Sequence, residues 1–204
     1  MARLALLSGL LSSLALAQAK AVEEKKVSAI NEIERGFYFE ARGGFWATFN
    51  PPTAEGAPPG HFSPGQAAEL DMGFDIGERV GIALSILGTA NRMSSDYLGT
   101  SGGTASGDYG ALIPGAGVKI RLVGLSDAQD VQRTWFYVRA AGGVVLYNPP
   151  SLISKMDALV SGGLGVEYFT KLRHFSVGIE ANFNFLVLTQ SFGFSILPTV
   201  KYSF

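Results

Sequence analysis

The sequence predicts an all-β fold: an eight-stranded antiparallel up-and-down transmembrane β-barrel with a short periplasmic N-terminal extension. Three observations lead to this prediction. Apolar and polar residues alternate with period two over eight segments, as in strands that have two unlike faces. The apolar faces are rich in Phe and Leu, while the polar faces carry acidic and basic residues in similar numbers. The chain has 204 residues, which suffices for one domain of ordinary size.

Composition narrows the classes of function. The chain has 26 Gly, 14 Phe, two His, no Cys and a formal net charge of -1. The lack of Cys excludes disulfide scaffolds, thiolate metal sites and Cys nucleophiles. The balanced charge gives no argument for a nucleic-acid partner. We therefore expect no cofactor, no metal site and no nucleic-acid partner.

The N-terminus has the pattern of an export signal. Residues 1–19 are predicted to be a signal peptide, because Arg3 precedes an apolar run and Ala17-Gln18-Ala19 offers a small-x-small cleavage site. A transmembrane helix is the alternative, but the run 4–16 is shorter than the ~20 residues that span a bilayer. Residues 20–35 are predicted to be a periplasmic extension, either a short helix that docks a partner or an unstructured leader.

Residues 36–204 are predicted to form the barrel, with strands at 36–49, 66–76, 79–90, 110–124, 134–147, 158–171, 174–189 and 191–204. In chain order, the apolar faces are Phe37, Phe39, Ala41, Phe45 and Phe49; Leu70, Met72, Phe74 and Ile76; Val80, Ile82, Leu84 and Ile86; Leu112, Ala116, Val118, Ile120 and Leu122; Phe136, Val138, Ala140, Val144 and Leu146; Val160, Leu164, Val166 and Tyr168; Phe175, Val177, Ile179, Ala181, Phe183, Phe185 and Val187; and Phe192, Phe194, Ile196, Pro198, Val200, Tyr202 and Phe204. Pro114 and Pro198 fall inside predicted strands, where each removes a ladder donor, so we expect strand starts or bulges there.

Alternation alone does not say which face is inside, and a soluble sandwich or lipocalin-like barrel is the alternative. The polar faces favour a membrane barrel, because six acidic and six basic residues, the latter including Lys171, could pair inside a narrow lumen. The predicted lumen charge network is Glu40, Arg42, Glu69, Asp71, Asp75, Lys119, Arg121, Arg139, Glu167, Glu180 and Lys201. A closed barrel also leaves no free edge in the bilayer.

The predicted connections differ in length. Gaps 50–65 and 91–109 are long and rich in Pro, Gly and Ser, while 77–78 and 172–173 are tight. Long external loops and short periplasmic turns are typical of outer-membrane barrels, and an even strand number places both mature termini in the periplasm. Tyr97, Tyr109, His61 and Phe62 are the candidate surface-loop contacts, because such loops suit adaptable recognition.

Two patterns could indicate a pore or a cation site. An eight-stranded barrel is only wide enough for side chains to fill, which argues against a diffusion pore. Glu69, Asp71 and Asp75 share one face and could bind a cation, but a network with Arg and Lys is the favoured interpretation.

Two sequence patterns that could indicate catalysis lack the context that catalysis requires. Residues 99–103 match G-x-S-x-G around Ser101, but this stretch lies in a Gly/Ser-rich loop rather than between a strand and a helix. His61 and His174 are not clearly paired with a Ser and an acid. We therefore expect no catalytic residue and no enzyme.

Residues 36–204 resemble small eight-stranded outer-membrane barrel proteins. Val200, Tyr202 and Phe204 look like the C-terminal signal that the barrel-assembly machinery reads. As a whole, the chain resembles an outer-membrane component of the adventurous gliding-motility machinery. The resemblance implies the outer membrane of a Gram-negative bacterium, with outer-membrane lipid, the barrel-assembly machinery and other envelope or motility proteins as partners. It implies a non-enzymatic anchor or interaction component, and the alternative is a small pore or hydrophobic-solute channel.

Overall fold

A computed structural model describes residues 33–50, 63–92, 108–148 and 156–204. They form eight strands: β1 (Phe37–Phe49), β2 (Gly65–Ile76), β3 (Val80–Arg92), β4 (Asp108–Ser126), β5 (Gln132–Asn148), β6 (Met156–Phe169), β7 (Phe175–Leu186) and β8 (Ser191–Ser203). The predicted signal peptide and most of the predicted extension lie outside the described residues. Among those residues, no helix is long and apolar enough to cross a bilayer.

The strands form one closed barrel in chain order, so the predicted fold class is confirmed. Each strand pairs antiparallel with the next, and β8 pairs with β1 through contacts such as Tyr38↔Ser203 and Phe49↔Phe192. Closure leaves no strand edge unpaired, which matters because an open edge exposes a row of unsatisfied backbone groups.

The two faces of each strand differ as the alternation predicts. Leu70, Leu164 and Phe183 are 67%, 68% and 56% exposed on the outer wall. Glu180, which lies between the outward-facing Ile179 and Ala181, is 0% exposed inside the barrel. The outer wall is therefore apolar and the charged side chains lie inside, which is the reverse of a soluble barrel.

The strand bounds differ from the prediction by a few residues. β3 runs on to Arg92 and β4 begins at Asp108, so the connection between them is shorter than predicted. β7 ends at Leu186 rather than 189, because residues 187–190 form the turn into β8. Gln190 in that turn has a positive φ of 51°. Val187 and Leu188 are hydrophobic, so the sequence pattern predicted a strand over this turn.

Connections of different length lie at the two ends of the barrel. The end where β1 begins and β8 ends, here called the terminus end, carries the turns 77–79, 127–131 and 170–174. The opposite end, here called the loop end, carries the connections 50–64, 93–107, 149–155 and 187–190. Gly77 has a φ of 64°, which is unstrained only for glycine in such a tight turn.

Both strand prolines interrupt one ladder without starting a strand. The β4–β5 register has no pair between Leu112↔Leu146 and Gly115↔Gly143, beside Pro114. The β1–β8 register has none between Arg42↔Thr199 and Phe45↔Ile196, beside Pro198. The bulge in β4 lies elsewhere, at Arg121/Val123.

Candidate functional site

The interior of the barrel has two halves of different chemistry. The half near the terminus end, here called the ionic half, contains the predicted charge network, and every one of its charged side chains is buried. The half near the loop end, here called the apolar half, contains Trp46, Ala67, Leu87, Tyr109, Ala111, Ile113, Val145, Tyr147, Leu159, Leu186 and Leu197. The predicted residues thus occupy only one part of the interior.

The lysine cluster lies nearest the terminus end and consists of Lys119, Arg121, Lys201, Glu40, Asp75 and Glu167. Arg121 Nε donates to Glu167 Oε2 at 2.8 Å, and its Nη2 lies 3.1 Å from Asp75 Oδ1. Lys201 Nζ lies 2.6 Å from Asp75 Oδ2 and 3.4 Å from Glu167 Oε1. With the Lys119–Glu40 pair, the cluster therefore crosslinks five strands, β1, β2, β4, β6 and β8.

The arginine cluster lies next to it, toward the apolar half, and consists of Arg42, Arg139, Glu69, Asp71 and Glu180. Arg42 Nη2 lies 2.8 Å from Asp71 Oδ2, and Arg42 Nη1 lies 3.1 Å from Glu180 Oε1. Arg139 Nη2 lies 2.6 Å from Glu69 Oε1. Three carboxylates thus share two guanidinium groups.

Glu40 joins the two clusters. Its Oε1 accepts from Arg42 Nε at 2.9 Å, and its Oε2 accepts from Lys119 Nζ at 3.0 Å. Aromatic rings complete the packing: Lys119 Nζ lies 4.6 Å from the ring centroid of Tyr137, and Lys201 Nζ lies 4.3 Å from that of Tyr38. Such contacts stabilise cations away from water. The ionic half is consequently crossed by ion pairs and cation–ring contacts that link its facing strands.

Lys171 was wrongly placed in this network. It lies in the turn after β6 and is exposed. The alternation of β6 was extended past Phe169, where the strand ends. The network therefore has the six predicted acidic residues but only five basic ones.

Arg35 covers the terminus end of the interior. Its guanidinium carbon lies 5.1 Å from the ring centroid of Phe169 and 5.8 Å from that of Trp135. Its Nη1 donates to the carbonyl oxygen of Glu78 at 2.8 Å. Burial, followed by repulsion from Arg121, lowers the pKa of Arg35 from its ordinary value. The Arg35 side chain thus covers the terminus end of the interior just before β1 begins.

The apolar half was missed by the sequence analysis. Ile113, Val145 and Leu197 are 3%, 1% and 1% exposed and point inward. Their signal was available, because each falls in phase with the polar positions of its strand rather than with the apolar ones. A small cavity, which Trp46 and Leu159 help to line, has a volume of about 20 Å³, room for about one water molecule.

Asp157 organises the loop end. Its carboxylate accepts from Leu188 N at 2.7 Å, from Thr189 N at 3.2 Å and from the Thr189 hydroxyl at 2.7 Å. It also accepts from the Tyr147 hydroxyl at 3.0 Å. This single side chain therefore fixes the turn between β7 and β8, although the sequence pattern did not mark it.

One predicted surface contact is wrong. Tyr109 was assigned to the loop before β4, but it lies inside β4, is 3% exposed and packs 5.6 Å from the Tyr147 ring. The strand begins earlier than predicted, which turns the side chain inward. The other three candidates, Tyr97, His61 and Phe62, lie outside the described residues.

The residues of the predicted C-terminal assembly signal lie on the outer wall. Val200 and Phe204 are 52% and 56% exposed. The Phe204 ring centroid lies 4.9 Å from that of Tyr202 and 5.6 Å from that of Phe37. An aromatic cluster thus covers the seam where the last strand meets the first.

The described residues bring together no group of His, Asp and Glu suited to hold a metal ion. Glu69 and Asp71 pair with arginines, and Asp75 with Arg121 and Lys201, as in the favoured interpretation of these acids. His174 Nδ1 lies 2.7 Å from the Ser203 carbonyl oxygen. Ser101 lies outside the described residues.

No family model matches the sequence, and no curated protein is similar to it. Solved structures share its fold. The Neisserial surface protein A is 14% identical, with a TM-score of 0.58 over 85% of this chain and 100% of that one. The outer membrane protein OprG from Pseudomonas aeruginosa is 13% identical, with a TM-score of 0.50 over 85% and 99%. The outer membrane protein AlkL is 11% identical, with a TM-score of 0.50 over 84% and 92%. The chain has the fold of small outer-membrane β-barrels.

Proposed function

We propose that this chain is a non-conducting barrel of a Gram-negative outer membrane that serves as an anchor or interaction module. The observation that carries the proposal is the ionic half, whose charged groups contact one another across the lumen. A through-pore would need this section to be open. The proposal assigns no catalytic residue.

The outer wall supports a membrane location. Side chains such as Leu84, Leu164 and Phe183 are more than half exposed on all sides of the closed barrel. Soluble proteins rarely expose contiguous apolar patches of this extent, whereas a bilayer covers them. The short turns at the terminus end favour placing that end, and so both mature termini, in the periplasm.

The loop end is the surface available for partners. Its connections 50–64 and 93–107 include the candidate contacts His61, Phe62 and Tyr97. The barrel below them is rigid, because β1 and β8 close it and the ionic half crosslinks it. A rigid scaffold that carries long loops suits recognition at the cell surface.

Conductance in a planar bilayer tests the proposal. The wild-type barrel should give no channel openings, and a variant without the central ion pair, Arg42→Ser with Glu69→Ser, should give them. Glu34→Ser with Arg173→Ser is a matched control, since it removes an exposed ion pair of 2.6 Å at the terminus end. Steady openings of the wild-type barrel would overturn the proposal.

Passage of a small apolar molecule is the second candidate. It is favoured by the apolar half together with the ladder gaps beside Pro114 and Pro198, which weaken the wall near the lumen. Because the ionic half blocks the axis, such a molecule would leave through the wall. The structures with the same fold agree with a membrane-passage role at least as well as with a motility role.

A disulfide across the β4–β5 gap tests this candidate, because the chain has no native Cys. Ile113→Cys with Val145→Cys would lock the gap, and Leu70→Cys with Ile86→Cys, at a paired position of β2 and β3, is the control. Uptake of an apolar dye into vesicles should fall only for the first pair when it is oxidised. Equal uptake by both pairs, or none by wild type, would exclude this candidate.

A part in gliding motility is supported by the resemblance of the whole sequence alone. The structures that share the fold are surface and outer-membrane proteins, and their names do not refer to motility. Crosslinking in intact cells followed by purification would test this role. Recovery of motility proteins would support it, and recovery of none would remove it without affecting the barrel.

Assembly through the C-terminal residues completes the proposal. Phe204, Tyr202 and Val200 are accessible on the outer wall, so the barrel-assembly machinery could contact them before the seam closes. Deletion of Phe204 should lower the amount of folded barrel in the outer membrane. The control is Phe183→Ala, which removes an exposed aromatic ring elsewhere on the wall.

A further inference from the structure

The two clusters of the ionic half differ in charge. The lysine cluster has three cations, Lys119, Arg121 and Lys201, and three acids, Glu40, Asp75 and Glu167. The arginine cluster has two cations, Arg42 and Arg139, and three acids, Glu69, Asp71 and Glu180. The five bases and six acids of the network thus leave one negative charge in excess, and the excess lies in the arginine cluster.

Unsatisfied oxygens lie in the same cluster. Within the described residues, Asp71 Oδ1 and Glu180 Oε2 are buried and have no hydrogen-bond donor. Asn182 Oδ1 is also without a donor, and Asn182, which is 4% exposed, lines the small cavity together with Glu69 and Arg139. A buried carboxylate oxygen without a donor is costly, and with three acids to two bases the cluster favours one more positive charge.

Two acidic side chains of the arginine cluster lie close together, and their position shows where the extra positive charge is bound. The carboxyl groups of Glu69 and Asp71 contact the same nitrogen atom, since Arg139 Nη2 lies 2.6 Å from Glu69 Oε1 and 3.5 Å from Asp71 Oδ2. Two ionised carboxylates have no proton to share and repel each other, whereas a carboxyl group donates to a carboxylate. We infer that the arginine cluster holds one extra proton, shared between the carboxyl groups of Glu69 and Asp71, which neutralises its excess of acid.

Among the described residues around the pair, no further cation supplies the positive charge that the arginine cluster lacks. Arg42 on β1 and Arg139 on β5 contact both members of the pair. Glu180 on β7 contacts both arginines, Glu40 on β1 contacts Arg42, and all four residues are already counted. Lys119 on β4 pairs with Glu40, and Glu167 on β6 pairs with Arg121 and Lys201. Arg35 lies over the lysine cluster at the terminus end, where the charges already balance.

Infrared spectroscopy of the folded barrel tests the inference directly. At neutral pH the wild-type protein should show the carbonyl stretch of a neutral carboxylic acid, which is separate from carboxylate bands. The band should be lost in Asp71→Asn and in Glu69→Gln. It should remain in Ser176→Ala, which removes only a 2.9 Å hydrogen bond to Glu167. Absence of the band in folded wild-type protein would overturn the inference.

Thermal unfolding gives a second readout. Asp71→Asn resembles the neutral carboxyl group, so its melting temperature at neutral pH should equal or exceed that of wild type. Asp75→Asn, in the balanced lysine cluster, should melt at a lower temperature. Because the proton is bound in the folded state and released on unfolding, the wild-type barrel should lose stability as pH rises, and Asp71→Asn should lose less.

A metal cation in place of the proton is the competing outcome. Sodium chloride is exchanged for an organic ammonium chloride of equal ionic strength. A melting temperature that is unchanged supports the proton. A melting temperature that falls without sodium, in a protein that lacks the acid band, would overturn it.

Discussion

The two halves of the interior are held together by different forces. In the ionic half, each side chain depends on partners from other strands, and Arg42 alone contacts Glu40, Glu69, Asp71 and Glu180. In the apolar half, side chains such as Leu197 contact their neighbours without directional bonds. Removing one partner from the first region leaves a buried charge, whereas the second region loses contact area. The ionic half should therefore tolerate few substitutions, whereas the apolar half should tolerate conservative ones.

Removal of Arg42 should have the largest effect. Arg42→Met leaves four buried carboxylates without this partner, so we expect a loss of about 3–5 kcal/mol in the free energy of unfolding. Urea unfolding in lipid vesicles, followed by the gel shift of the folded barrel, measures it. Arg173→Met is the control, since its exposed pair with Glu34 should contribute about 0–1 kcal/mol. Equal effects of the two variants would refute the expectation that the ionic half tolerates few substitutions.

Leu197 provides the matching test in the apolar half. Leu197→Ala should cost about 2–5 kcal/mol because it opens a cavity, while Leu197→Met should cost less than about 1.5 kcal/mol. The same unfolding measurement applies. A conservative substitution at Arg42, Arg42→Lys, should not be tolerated in this way, because lysine lacks the planar fork that reaches several carboxylates. If Arg42→Lys proved as mild as Leu197→Met, the contrast between the halves would be lost.

Asp157 sharpens the comparison, because it is an acid of the apolar half that is held by neutral donors. Asp157→Ala should cost about 1–3 kcal/mol, since the N–H groups of Leu188 and Thr189 lose their acceptor. Limited proteolysis should show cleavage in the turn 187–190 before the barrel unfolds. Asp157→Asn, which keeps one acceptor oxygen, should be less sensitive; if it were cleaved as readily as the alanine variant, the turn would not depend on these bonds.

Asp127 should give the smallest effect. Although its slight burial opposes ionisation, the N–H groups of Val131 and Gln129 and the side chain of Arg133 hold its pKa below the ordinary value. Its contribution to stability is therefore present above the unfolded-state pKa and lost as pH falls through the lowered one. Asp127→Asn should differ slightly from wild type at neutral pH and not in acid, as hydrogen exchange of the turn would show. A difference that persists in acid would point to another cause.

Sequence alone predicted the barrel well, for a physical reason. Most outward positions are apolar, so faces such as the one from Phe192 to Phe204 repeat the period-two pattern. The ionic residues were predicted for the same reason, since Glu180 or Lys201 breaks an otherwise apolar run. The interior beyond them was not, because Ile113 and Leu197 resemble lipid-facing residues in type and differ only in phase.

The remaining errors lie at strand ends. Lys171 was assigned to β6, which stops at Phe169, and Tyr109 was assigned to the loop before β4, which starts at Asp108. Alternation contains no signal for where pairing stops. The hydrogen bonds that end a strand, such as Thr170 N to Phe175 O, are set by the partner strand rather than by the local sequence.

The distribution of the ionic groups along the chain has a consequence for biogenesis. Arg42 lies on the first strand, Lys201 on the last, and their counter-ions lie on strands between them. A nascent sheet that has not yet curled up would present these charges to acyl chains without their partners. We therefore expect insertion and ring closure to be coupled, because several charges meet partners on distant strands only when the ring is complete.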